Sequence, residues 1–229
     1  MLQRILFRKS ATEDLSIKEI LFLSCFFSCT LLVGRAVFTG QTAYAFLLWN
    51  LFLAFVPFAV SQWLTRNPAI IKSGWKTVLV LLTWLLFIPN SFYILTDLFH
   101  LGTFSSAPKW FDLLLIFSFA WNGLLLGILS VRDIEKIVEA NWGRGFSLLL
   151  LFAVMWLNAF GVYIGRYLRF NTWDVLVQPL SLFSDMLQIL FHPLQNRTEW
   201  GMISCYGLFM LLIYITLKKL GEGFYSKRH

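Results

Sequence analysis

The chain has 229 residues, of which 58% are hydrophobic and only 14% are charged, and its mean hydropathy is +0.70. Soluble domains are about half apolar and a quarter charged, so this composition excludes a soluble globular protein, a disordered chain and a disulfide scaffold. Its apolar residues come in runs close to the ~20 residues that cross a bilayer as a helix. We therefore predict an all-α, polytopic transmembrane helical bundle whose main partner is the lipid bilayer.

Six apolar runs bounded by charged residues, Gly, Pro or Asn predict the membrane spans in chain order. They cover about residues 20–37, 45–64, 78–95, 111–131, 146–164 and 201–217. The segment 175–194 is long enough to cross but carries six polar residues and Pro179. We predict that it forms an interfacial or re-entrant helix before the last span. No repeat or linker interrupts the chain, so we predict a single integral membrane domain, residues 1–229.

The net charge of +7 comes from basic residues that flank the apolar runs. Nucleic-acid binders gather such residues on one solvated face, so we predict no nucleic-acid partner. Lys and Arg near span ends favour the cytoplasmic side. We therefore predict that both termini are cytoplasmic, because this orientation places fourteen of the 19 Lys and Arg residues inside and five outside. The outer five are Arg35, Lys109, Arg166, Arg169 and Arg197. Residues 132–139, which mix both charges, are expected to form a solvated helix extension.

Polar residues collect at the outer end of the third span. Pro89 interrupts the helical hydrogen bonding there and predicts a kink. Beyond it, Tyr93 and Asp97 are spaced i, i+4 and Asp97 and His100 are spaced i, i+3, so all three can share one helical face. Asp97 and His100 are the candidates for an acid/base pair or for metal ligands. The alternative is a carboxylate that caps loop amides beside a histidine at the wet interface.

A second cluster follows the fifth span, where Arg166 and Arg169 are three residues apart. Two guanidinium groups on one face can clamp a phosphate or a carboxylate. The alternative is internal pairing with aspartates and stacking of Arg169 on Trp173. The available aspartates are Asp97, Asp112 and Asp174.

These residues lie on several spans, and the predicted topology brings them to one outward-facing polar cup. The predicted ligand-binding set is Arg35, Asn90, Tyr93, Asp97, Asp112, Arg166, Arg169, Trp173 and Asp174. Polar groups inside a bundle are costly and need a partner, water or a ligand. The sequence contains no Gly-rich phosphate loop, nucleophile elbow or zincin helix, and it identifies no cofactor.

Both clusters also form a recognisable pattern. Its residues are Pro89-Asn90, Tyr93, Thr96-Asp97, His100-Leu101, Gly165-Arg166, Arg169, Asn171 and Trp173-Asp174. The pattern resembles a bacterial multi-pass membrane family defined only as a domain of unknown function, number thirteen sixty-one, from about the second span to the sixth. It departs from that family at Thr172, where the family has serine. The resemblance implies a bacterial plasma-membrane (inner-membrane) protein and brings no activity, cofactor or catalytic residue.

Three functions remain open on the sequence. The first is binding or transport of an anionic, lipid-phosphate-like or small-molecule ligand by the arginines, with Asp97 as proton or cation partner. The second is a membrane-embedded hydrolase or transferase that uses Asp97 and His100. The third is a structural accessory subunit, in which the three cup aspartates neutralise Arg35, Arg166 and Arg169 internally. No protein partner is indicated.

Overall fold

The computed structural model describes residues 16–104, 106–170, 177 and 179–226, which contain helices and no strand. The helices, in chain order, are α1 (Ile17–Thr39), α2 (Phe46–Arg66), α3 (Pro68–Ile71), α4 (Gly74–Tyr93), α5 (Lys109–Trp142), α6 (Arg144–Tyr163), α7 (Pro179–Phe191) and α8 (Arg197–Ser226). A 3₁₀-helix, Ile94–His100, continues α4, and a π-helical turn, Ile164–Leu168, continues α6.

Six of these helices are long and apolar enough to cross a membrane, which confirms the predicted all-α bundle with six spans. They are α1, α2, α4 with its 3₁₀ extension, α5, α6 with its π turn, and α8. By contrast, α7 has 13 residues and is about 20 Å long at 1.5 Å per residue. Because the hydrocarbon core is about 30 Å thick, α7 is too short to span it.

Local signals at the helix ends explain where the chain turns. At the start of α1, Ser16 and Glu19 form a reciprocal capping box. At its end, Gly40 adopts φ 66°, a left-handed conformation that glycine reaches without steric cost. Gly143, with φ 86°, likewise separates α5 from α6. Both glycines therefore mark short connections between successive spans, residues 40–45 and residue 143.

The central helix is α5, whose apolar window is 67% buried inside the bundle. Two glycines on it admit the end of α4. A Cβ at Gly127 would lie 2.7 Å from the Ser91 Cβ, and one at Gly123 would lie 2.5 Å from Ile94 Cγ2. Small residues allow such close backbone approach between membrane helices. This packing fixes the 3₁₀-helix that carries Asp97 against α5.

The two ends of the bundle have different chemistry. The end that holds the last turns of α1, the 3₁₀-helix and α6 is called here the Asp97 end. The opposite end, called the Glu135 end, contains a buried carboxylate. Glu135 is 5% exposed, accepts a hydrogen bond from Tyr214 Oη at 2.5 Å and pairs with Lys218 Nζ at 2.8 Å. The expected solvated extension of α5 is therefore packed on α8 at this residue, because α8 supplies both partners.

Candidate functional site

At the Asp97 end, Arg35 of α1 and Asp112 of α5 form a buried ion pair. Arg35 Nε donates to Asp112 Oδ1 at 2.7 Å, and neither side chain is more than 2% exposed. Arg35 Nη2 also donates to Asp112 Oδ2 and to Ser106 Oγ, both at 3.3 Å. The guanidinium carbon lies 4.5 Å from the centroid of the Tyr44 ring. This geometry joins α1 to α5 and leaves Arg35 out of reach of a ligand.

Tyr44, in the turn between α1 and α2, closes this pair and was not predicted as a site residue. It is fully buried, and its hydroxyl donates to the His100 carbonyl at 3.1 Å. Burial raises the pKa of the Tyr44 phenol, the neighbouring Asp112 carboxylate raises it further, and Arg35 lowers it. The phenol therefore stays protonated and acts as a donor.

The 3₁₀-helix Ile94–His100 positions Asp97 and His100, which were predicted to share one face with Tyr93. Before it, α4 runs through Pro89, and Asn90 Nδ2 donates to the Phe87 carbonyl at 2.9 Å. Residues three apart eclipse one another in a 3₁₀-helix, so Asp97 and His100 project from the same side.

Arg166 contacts all three of these residues, Tyr93, Asp97 and His100. It sits in the π-helical turn Ile164–Leu168, and its side chain is 15% exposed. Isolated π turns in α-helices are frequent at functional sites. The guanidinium carbon lies 5.4 Å from the centroids of both the Tyr93 and Phe99 rings, within the distance of a cation–π contact.

Three polar contacts hold the Arg166 guanidinium. Nη2 donates to the Thr96 carbonyl, Nη1 lies 3.1 Å from His100 Nε2, and Nη2 lies 3.8 Å from Asp97 Oδ1. Arg166 Nε is buried and has no hydrogen-bond partner among the described residues. A guanidinium has five N–H donors, and within the described part of the chain the hydrogen bonds of Arg166 use Nη1 and Nη2.

Asp97 is almost completely buried, at 1% exposure. Its closest polar partner is the neutral amide of Asn50 on α2, whose Nδ2 donates to Asp97 Oδ2 at 2.8 Å. The 3.8 Å separation from Arg166 is an ion pair without a hydrogen bond. The Asp97 carboxylate is thus held by a dipole and a loosely placed cation, unlike Asp112.

The contact with Arg166 indicates the protonation state of the His100 ring. A guanidinium only donates, so His100 Nε2 must be the acceptor, and the ring is then neutral with its proton on Nδ1. The ring also packs edge-on against Phe46, with centroids 5.0 Å apart. Among the described residues no group of three His, Cys, Asp or Glu side chains comes together. Asp97 and His100 are therefore not joined by a third side chain of these four types in the described part of the chain.

Beside this cluster lies a partly open cleft of about 310 Å³ between α2, α4, α6 and α7. Most of its wall is apolar, and Asn50, Asn90 and Tyr93 are its principal polar members. One side is formed by Leu182 and Met186 of α7. Ligand sites in proteins usually combine such an apolar wall with a few placed polar groups. Asn50 and Tyr93 connect the cleft directly to Asp97 and Arg166.

Comparison with known families now adds a decisive observation. The model of a family described as "Protein of unknown function (DUF1361)" matches residues 49–213. The chain belongs to this family. The resemblance inferred from the two motif segments is therefore confirmed. Comparison with curated proteins and with solved structures finds no match.

The segment matched to DUF1361 contains every residue that lines the cleft, together with Asp97, His100 and Arg166. Arg35 and Tyr44 precede it. The site of this DUF1361 protein thus divides into a family-matched cleft with its adjacent ion pair, and a sealed ion pair that reaches outside the match.

The structure brings together most of the predicted ligand-binding set, but in two groups. Arg35 with Asp112 forms one, and Asn90, Tyr93, Asp97 and Arg166 belong to the other. Arg169, with a left-handed φ of 61°, is exposed directly after the π turn. Trp173 and Asp174 lie outside the described residues. Asn50 of α2 is not in the predicted ligand-binding set, and the hydrogen bond to Asp97 adds it to the second group.

Proposed function

We propose that this DUF1361 protein binds an anionic amphiphile, with a lipid-phosphate-like group, in the cleft between α2, α4, α6 and α7. The observation that carries the proposal is the buried Nε of Arg166, which has no hydrogen-bond partner in the described part of the chain and lies next to a largely apolar cleft. A buried donor without an acceptor is costly, and a ligand oxygen would satisfy it. The apolar wall would hold the rest of the ligand.

Arg166 is suited to this role because its only carboxylate contact among the described residues is loose. A guanidinium edge can hold a phosphate or carboxylate through two parallel hydrogen bonds. The loose contact with Asp97 means that an incoming anion competes with a pair that makes no hydrogen bond. Exposed Arg169 precedes Phe170 of the cleft wall and adds a second positive charge near the same mouth.

The remaining polar groups of the cleft suit a headgroup. The amides of Asn50 and Asn90 and the Tyr93 hydroxyl offer uncharged donors and acceptors within an apolar wall. The volume of about 310 Å³ lies at the lower end of ligand sites. It therefore fits a small headgroup or part of one chain, with the rest of an amphiphile extending into the bilayer.

We further propose that the Asp97 end faces outward, with both termini cytoplasmic, in a bacterial plasma membrane. In the described part of the chain, nine Lys and Arg residues flank the Glu135 end and five flank the Asp97 end. The nine are Lys18, Arg66, Lys72, Lys76, Arg132, Lys136, Arg144, Lys218 and Lys219. Such an excess supports a cytoplasmic Glu135 end. Reporter fusions at the C-terminus that are active only outside the cytoplasm should be inactive.

Native mass spectrometry of the purified full chain tests the ligand proposal. Protein in mixed micelles is offered phosphatidylglycerol or phosphatidylcholine with identical acyl chains. We expect preferential retention of phosphatidylglycerol, and Leu86→Trp should retain one lipid fewer per chain, because the indole fills the cleft. Leu82→Trp is the matched control, since Leu82 lies one turn away on α4, is exposed and does not line the cleft.

Arg166 itself provides the second arm. Arg166→Lys keeps the charge but removes the planar pair of donors, so occupancy by the lipid that Leu86→Trp excludes should fall severalfold while the chain still folds. Arg144→Lys, on an exposed residue at the opposite end, should change nothing. Equal retention of both lipids by the wild type, or retention unchanged in Leu86→Trp and Arg166→Lys, would refute the proposal and favour the accessory-subunit alternative.

A further inference from the structure

A second cavity lies on the other side of α2, where α1 and α2 diverge. This α1–α2 groove has a volume of about 450 Å³ and is lined by α1, α2 and one residue of α5. Its wall is apolar apart from Lys18, with Cys25 on α1 and Leu48 and Phe58 on α2 among its members. It shares no residue with the Asp97-end cleft.

The groove runs from the Glu135 end toward the Asp97 end. At the Glu135 end Lys18 contacts Gln62, and Gln62 and Leu48 are fourteen residues apart on α2, which is about 21 Å along the helix at 1.5 Å per residue. The hydrocarbon core is about 30 Å thick, so the groove is longer than the depth of one leaflet. It therefore accepts an acyl chain that enters at the Glu135 end and lies along α2.

The end of the groove carries a positive charge where a headgroup would lie. The Lys18 ammonium donates to the neutral side-chain oxygen of Gln62, and Gln62 Nε2 in turn donates to Asp133 Oδ2 at 2.5 Å. The Asp133 carboxylate is also hydrogen-bonded to Ser61. An ammonium has three N–H donors, so Lys18 retains donors for an additional acceptor. A cation at the end of a membrane span favours an anionic headgroup.

We propose that the α1–α2 groove binds one acyl chain of an anionic phospholipid from the leaflet at the Glu135 end, with its phosphate on Lys18. The apolar wall of the groove and the positive charge at its end select this occupant. A zwitterionic lipid fills the groove equally well but gains less from Lys18. The lipid also occupies the space between two helices that otherwise have an unfilled gap on the bilayer side.

The test is native mass spectrometry of the full chain carrying Leu86→Trp. This change fills the Asp97-end cleft, so lipid binding in the groove is measured separately from lipid binding in the cleft. Micelles contain phosphatidylglycerol or phosphatidylcholine with identical acyl chains. We expect one retained phosphatidylglycerol per chain and at least tenfold less phosphatidylcholine. Lys18→Gln should reduce the preference severalfold, whereas Lys76→Gln, on an exposed lysine outside the groove, should leave it intact.

Groove filling provides the independent arm. Cys25→Trp places an indole in the groove and should abolish retention, while Val33→Trp, on an exposed α1 position outside the groove, should retain the lipid. Phe22→Trp, at a 71% exposed groove position, replaces Cys25→Trp if the latter does not fold. Equal retention of the two lipids by the Leu86→Trp parent, or retention that survives groove filling, would overturn the proposal.

Discussion

The buried pair Arg35–Asp112 makes the sharpest stability prediction. Asp112→Ala leaves the Arg35 guanidinium at 1% exposure with only Ser106 and the Tyr44 ring as partners. Removing one member of a buried ion pair costs about 3–5 kcal/mol because the remaining charge is uncompensated. For a chain of this length, a loss of 1 kcal/mol lowers Tm by roughly 2–4 °C, so we expect a decrease of about 10 °C.

The double variant Arg35→Met with Asp112→Leu distinguishes pairing from simple packing. Apolar residues of similar volume can replace a buried ion pair at little net cost. We therefore expect the double variant to recover most of the stability lost by Asp112→Ala. The two changes interact strongly in this case, and their combined effect is smaller than the sum of the single effects.

Thermal unfolding of the purified protein in detergent, followed by tryptophan fluorescence, measures these effects. Glu222→Ala is the control, since its pair with Lys219 at 3.2 Å is exposed and should not shift Tm measurably. The reasoning is wrong if Asp112→Ala unfolds at the wild-type temperature, or if the double variant loses as much as the two single variants together.

Two further predictions concern the core. Gly127→Ala places a Cβ 2.7 Å from the Ser91 Cβ and should destabilise the bundle by about 1–3 kcal/mol, as overpacking does, whereas Gly34→Ala, with no atom within 4 Å, should not; thermal unfolding decides. Trp84→Phe removes a buried indole donor that reaches a serine hydroxyl of α5 at 2.8 Å, and should cost about 1–3 kcal/mol. The same change at Trp121, which is 40% exposed, is the control, and equal losses at both sites would contradict this view.

The six spans were predictable because each combines about 20 apolar residues with charges at its ends, and backbone hydrogen bonds in lipid leave helices as the available solution. The burial of individual charged residues, in contrast, could not be predicted. Glu135 occurs in a stretch of mixed charge that is typical of a solvated helix. Its burial depends on Tyr214 and Lys218, which are 79 and 83 residues away in sequence. Periodicity within one helix carries no information about such partners.

The candidate site was predictable in part for the same reason. The spacing of Tyr93, Asp97 and His100 predicted a shared face, and in the structure all three lie around Arg166. The charge balance among arginines and aspartates predicted pairing without specifying the pairs. The π turn that positions Arg166 could not be predicted from the sequence, because it depends on how the end of α6 packs.

The two ion pairs of the Asp97 end use the same residue types but differ in geometry. In both, one guanidinium nitrogen has no partner among the described residues. Arg35, however, holds Asp112 through two hydrogen bonds and is sealed at 1% exposure, so a ligand cannot approach it without separating α1 from α5. Arg166 is 3.8 Å from its carboxylate and borders the cleft through Tyr93. A tight pair joins helices, whereas a loose pair beside a cavity leaves a charge that an incoming anion can take. The variants Asp112→Ala and Arg166→Lys should therefore separate: the first should lose stability, and the second should lose lipid retention.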